Sequence, residues 1–151
     1  MYATVLTTHS WIRWVAIVAA VGTTLAALGN RTHGSNSAAD RWSLFAMTAL
    51  DLQMLVGLIL YFALSPFTAR AMEDFSAAMK NAPLRFWAVE HLSTMLAAVV
   101  LAHVGRALAR KASSPAAKRT RLLVCFGLTT LLIMIGTPWP GMTNGRPLFR
   151  L

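Results

Sequence analysis

The stretch TVLTTHSWIRWVAIVAAVGTTLAALG, Thr4 to Gly29, decides the fold. It is long enough to cross a hydrocarbon core, which takes about 20 mainly apolar residues. A secretory signal would open on a positive region and run on unbroken; here no base precedes the run and Arg13 interrupts it, so it reads as a retained helix. Alanine and leucine, both good helix formers, fill it. A membrane strand would alternate apolar and polar residues over about 10 positions, and that alternation is absent.

Three further runs of the same kind follow at Ser43 to Leu64, Phe86 to Ala107 and Leu122 to Trp139. Pro138 and Pro140 set the end of the last, because proline removes a backbone donor and clashes with the preceding turn. Of 151 residues, 56% are hydrophobic and 13% charged, against about 25% charged in a soluble domain. The expectation is one all-α domain, residues 1–151, forming an integral membrane four-helix bundle in a lipid bilayer. A net charge of +9 would suit a nucleic-acid binder, but the bases lie between the apolar runs, where they anchor helix ends, so no nucleic acid is expected. Cys125 stands alone in an apolar run. It excludes an intrachain disulfide and a thiolate cluster, and reads as a small buried or lipid-facing residue.

Lysine and arginine counts orient the spans. The loops after spans one and three carry Arg31, Arg41, Arg106, Arg110, Lys111, Lys118, Arg119 and Arg121. The other side has Arg70, Lys80, Arg85, Arg146 and Arg150, offset by Glu73 and Asp74. The first side is therefore read as cytoplasmic, with both termini outside. Trp11, Trp14, Trp87 and Trp139 then fall at the outer interface and Trp42 at the inner one, as aromatic belts do. In the outer loop, Ser65 to Arg85, the residues Phe67, Ala71, Met72, Phe75 and Met79 recur at helical spacing. This predicts a short amphipathic helix between Pro66 and Pro83. Thr32 to Ala39 and Ala112 to Ala117 read as linkers.

Ionisable groups within spans are costly and mark partners or function. They are His9 and Arg13 in the first span, Asp51 in the second, and Glu90, His91 and His103 in the third, with Gln53 as a neutral companion. Spans one and three run the same way, which brings His9 and His91 to similar depth near the outer end. Two neutral imidazoles facing across a bundle can ligate the iron of a b-type haem, each through Nε2. Alanine stripes flank both: Ala16, Ala20 and Ala27 with His9, and Ala98 and Ala102, beside Met95, with His91. They leave room for a flat macrocycle, or equally let two helices pack with nothing between them. Arg13 and Arg85 are candidates to pair with haem propionates. Glu90 is expected to neutralise Arg13.

His103 is rotated about 120° from His91 and so does not extend that stripe. Asp51 reaches similar depth, and an Asp51–His103 pair with Gln53 nearby serves as helix glue, a proton relay or a quinone contact. His33 lies in a polar loop and reads as solvated. No phosphate-binding glycine loop, HExxH or CxxCH occurs, and no hydrolytic triad or di-iron carboxylate set can be assembled, so no catalytic residue is assigned.

The phrases HSWIRW (His9 to Trp14), DLQMLVGLILYF (Asp51 to Phe62), RFWAVEH (Arg85 to His91) and AHVGRALARK (Ala102 to Lys111) resemble a group of small four-helix bacterial membrane proteins labelled cytochrome b-like. The resemblance spans nearly the whole chain and is most specific at RFWAVEH. It implies a bacterial inner-membrane protein and adds weight to haem at His9 and His91. Two functions from different classes stay open: an electron-transfer protein or subunit with one haem b near the outer face, and a cofactor-free accessory subunit packed against other membrane subunits of a respiratory or photosynthetic complex. A third is a quinone-binding or proton-handling module at Asp51, Gln53 and His103.

Overall fold

The computed structural model describes residues 1–34 and 36–150. Four helical rods are long and apolar enough to cross a membrane: Tyr2–Leu28, Ala38–Leu64, Ala82–Arg110 and Pro115–Gly136. Among the described residues there is no strand. In chain order the elements are α1 (Tyr2–Leu28), α2 (Ala38–Ile59) ending in a π-helical turn at Leu60–Leu64, α3 (Pro66–Glu73), α4 (Phe75–Lys80), α5 (Ala82–Arg85), a second π-helical turn at Phe86–Glu90, α6 (His91–Arg110) and α7 (Pro115–Gly136).

Three rods begin well before their apolar runs because polar side chains cap them; in the third, Asn81 Oδ1 accepts from the Leu84 amide and the rod starts at Ala82. Ser37 accepts from the Asp40 amide while the Asp40 carboxylate accepts from the Ser37 amide, so α2 starts at Ala38 and not at Ser43. Ser114 accepts from the Ala117 amide and Pro115 occupies the first turn, where a missing N–H costs nothing, so α7 starts well before Leu122. Both stretches expected to be linkers therefore end in helix. At its other end α7 stops at Gly136, ahead of Trp139. The single helix expected after Ser65 is two, because Asp74 leaves helical geometry and caps α4 through the Ala77 amide. Met72 and Phe75 from its expected apolar face are exposed.

The rods pack as a ring in which α1 touches α2 and α7, and α6 touches α2 and α7, leaving α1 and α6 diagonally opposite. Close approach relies on small residues, as is usual where lipid removes the hydrophobic drive between helices. Ala16, Ala19, Ala20, Ala27, Ala98 and Ala102 are fully buried at these contacts. A Cβ on Gly105 would clash with Cys125 Cβ, so glycine there sets the α6–α7 spacing and Cys125 is a packing residue. Larger apolar side chains, among them Leu25, Leu55, Leu96 and Ile135, point outward around the ring. Water would penalise that surface and lipid would not.

The basic end is tied by cations serving helix C-terminal carbonyls. Arg119 donates to the carbonyls of Ala27 and Leu28, Arg121 to that of Leu108, and Lys118 pairs with Asp40 at 2.6 Å. The start of α1 and the tail up to Arg150 lie at the opposite end, where the tail folds back across the bundle. The Trp11 and Trp14 indoles donate to the carbonyls of Arg150 and Leu148 at 3.0 and 2.9 Å. Phe149 lies against both indoles, 5.5 Å from each ring.

Candidate functional site

His9 and His91 meet inside the ring. Each rod contributes a ring to the interior because α1 and α6 face each other across the diagonal, and the two imidazole centroids are 6.5 Å apart with planes at 70°. Two imidazoles bound to one metal ion, at a metal–nitrogen bond of about 2 Å each, have centroids roughly 6 Å apart. The spacing matches a shared axial pair; the direction of the rings matches on one side only.

His91 is set for ligation. Its Nδ1 lies 2.8 Å from the Gly136 carbonyl and donates to it, which leaves Nε2 as the lone-pair nitrogen. Phe86 and Trp87 lie 5.7 and 5.6 Å from the ring and fix its plane. The π-helical turn that carries both aromatics ends at Glu90, immediately before His91. Such turns re-aim side chains and are frequent at functional sites. The Tyr61 hydroxyl, from the other π-helical turn, donates to the Ala88 carbonyl at 2.8 Å and joins the two turns. Nothing in the periodicity of the sequence announces either turn.

His9 is turned toward α2. Its Nε2 lies 3.1 Å from Gln53 Nε2, and its Cε1 edge faces Gly57, where a Cβ would stand 3.1 Å away. Gln53 is thus a partner of His9 and not of the Asp51–His103 pair as expected. Two residues along a helix is a turn of about 200°, so Asp51 and Gln53 point to opposite sides. Asp51 and His103 do meet, at 3.5 Å, with side chains 46% and 45% exposed.

Two lobes of space flank the imidazole pair, one toward α2 and α3 and one toward α7 and the tail. The enclosed cavities are about 100 and 50 Å³, below the about 300–1,000 Å³ of small-molecule and cofactor sites, so a macrocycle enters only if the surrounding side chains part. His9, Gln53, Trp87, His91 and Met95 line both, so a flat ligand lying between the imidazoles would extend into each. The lining is mostly apolar. Among the described residues, the buried side-chain nitrogens and oxygens that lack a partner belong to His9, Gln53, Arg13 and Arg150. All four residues line the second lobe. Buried polar groups are nearly always satisfied, so four orphans around one cavity mark a place built to receive polar atoms.

The arginines differ from expectation. Arg85 pairs with Glu90 at 2.6 Å and donates to the Met79 carbonyl, so it faces away from the cavity's polar rim and takes the carboxylate assigned to Arg13. The five-residue spacing across the π-helical turn brings Arg85 and Glu90 together. Arg13 instead donates to the Leu148 carbonyl at 2.8 Å and remains on the cavity wall. The tail residues Arg146 and Arg150 join it there, which sequence spacing alone gave no means of finding. Among the described residues, no three His, Cys, Asp or Glu side chains converge as a protein-only metal cage; a haem iron asks only two axial ligands of the protein. The chain matches no protein-family model, no curated protein and no solved structure.

Proposed function

We propose that the chain is a membrane electron-transfer protein or subunit that holds one b-type haem between α1 and α6, with His9 and His91 as axial ligands. The observation that carries this reading is the 6.5 Å imidazole pair at the junction of two apolar lobes. When bound, the haem supplies one-electron transfer; the protein supplies position, polarity and exclusion of water. His91 is held in the right tautomer by Gly136. Met95 and Trp87 wall the pocket, and Arg13 offers charge to a propionate. The donor set fits the group, and admitting it takes two adjustments: His9 Nε2 must leave Gln53, and the walls of the two small cavities must part. The excess of bases at the loop end favours a bacterial inner-membrane setting with the haem near the outer face and α3 and α4 lying in the outer interface.

Gln53 is on this reading a competitor for His9 Nε2. Gln53→Leu is expected to keep haem affinity within about twofold of wild type or to raise it, measured by haem titration of the purified protein. A loss of about tenfold would instead make Gln53 the group that orients the ligand, and would remove Nε2 of His9 from the coordination assigned to it.

A second reading is favoured by the Asp51–His103 pair. Ionisable groups half-exposed on the flank of a membrane bundle ask for a covering partner, as in an accessory subunit of a larger redox complex. If the pair only ties α2 to α6, Asp51→Asn changes stability by about 0.6 kcal/mol and leaves haem content and co-purifying subunits unchanged. Loss of a co-purifying subunit in that variant would favour the second reading.

A further inference from the structure

Three guanidiniums gather on the wall of the second lobe. Arg13 comes from α1, and Arg146 and Arg150 come from the folded-back tail. None of the five acidic residues of the chain lines either lobe, and the one nearest in sequence to the site, Glu90, is held by Arg85. Arg13 and Arg150 line the same lobe, and Nε of each is buried without a partner. Arg146 lies over the faces of Phe67 and Trp87, 4.9 and 5.0 Å from the ring centres, which offsets part of one charge. Like charges collected beside an apolar cavity are unfavourable unless something negative joins them. The tail is nonetheless fixed in place, by the Trp11, Trp14 and Arg13 bonds to its carbonyls.

We propose that Arg13, Arg146 and Arg150 form a binding site for an oxyanion carried on an apolar body that occupies the His9/His91 cavity. The planar fork of arginine suits a carboxylate or phosphate oxygen pair. The identity of the first carrier, a haem with its propionate carboxylates, rests on the haem reading above; an anionic phospholipid presents the same chemistry through its phosphate. The tail completes the site, since two of its three cations lie beyond residue 145.

Full-length protein in neutral detergent is titrated with haem and with haem dimethyl ester, whose propionates carry no charge. Wild type is expected to prefer haem by about tenfold or more. The triple variant Arg13→Gln/Arg146→Gln/Arg150→Gln is expected to lose that preference and still take up the ester. A wild type that takes both equally, or a triple variant with undiminished preference, overturns the anion site and leaves the haem reading standing. Should wild type take up neither compound, the haem reading fails and delipidated protein is offered phosphatidylglycerol and phosphatidylcholine. Selective retention of phosphatidylglycerol by wild type, lost in the variant, supports the site with lipid as carrier; equal retention overturns it. If the triple variant does not fold, Arg150→Gln alone is measured by the same criterion, with a loss of about threefold in the preference expected and no loss overturning the proposal.

Discussion

His91→Ala is expected to give a folded, fully helical protein that carries no haem, with the Soret and α bands reduced to less than about a tenth of wild type. The fold survives because His91 contributes little to the packing that holds the ring together, which depends on the buried alanines and on the Gly105–Cys125 approach. The hydrogen bond lost, to the Gly136 carbonyl, is one at the end of α7 and amounts to about 1 kcal/mol. Haem retention is far more sensitive. His9 alone is a five-coordinate attachment, and its Nε2 is contested by Gln53. The measurement is the absorption spectrum of the variant beside its circular dichroism. Unchanged haem content with intact helicity would remove His91 from the site, whereas partial return of the bands on adding free imidazole to the variant would be the signature of a vacated axial position.

Gly57→Leu is expected to abolish haem uptake without touching either histidine. Gly57 is the point on α2 where the His9 ring comes closest, and even a Cβ would stand 3.1 Å from Cε1. A leucine adds its branched end into the first lobe, between α2 and the imidazole pair, where the ligand's plane would lie. Overpacking of this kind costs about 1–3 kcal/mol in a well-filled core. Here the adjoining cavity of about 100 Å³ takes up part of the side chain, so the helical signal should persist with a modest fall in melting temperature while haem titration shows no saturable uptake. Ala at the same position, which needs only a few tenths of an ångström from His9, should weaken uptake about tenfold or less. Wild-type haem affinity in Gly57→Leu would mean that the ligand does not lie on this side of His9.

Much of the fold was legible because lipid imposes a simple demand: every span must be a long apolar helix. The four runs are in the sequence, and so is the meeting of His9 with His91, since parallel spans with histidines near the same end must share a depth. The Asp51–His103 pair followed from the same count of depth. What escaped depends on local geometry that hydropathy does not encode. Ser37 and Ser114 start helices outside the apolar runs through hydrogen bonds. Gln53 and Asp51 are close in sequence, yet a helix sends them to opposite sides. Charge and helix position suggest Arg13 as the partner of Glu90, while the π-helical turn at Phe86–Glu90 gives it to Arg85. The tail was the largest omission. Residues 139–150 have no periodicity, and only the tertiary fold shows that their carbonyls are bound by Trp11, Arg13 and Trp14 and that their arginines return to the cavity.

The most direct measurement is the reduced-minus-oxidised absorption spectrum of the protein expressed with ample haem and purified in mild detergent, with haem counted by its pyridine complex. A shared axial histidine pair predicts sharp, low-spin b-type bands and one haem per chain. Protein that is folded, helical and colourless under those conditions, and that stays colourless when haem is added, would contradict the assignment of His9 and His91 as iron ligands.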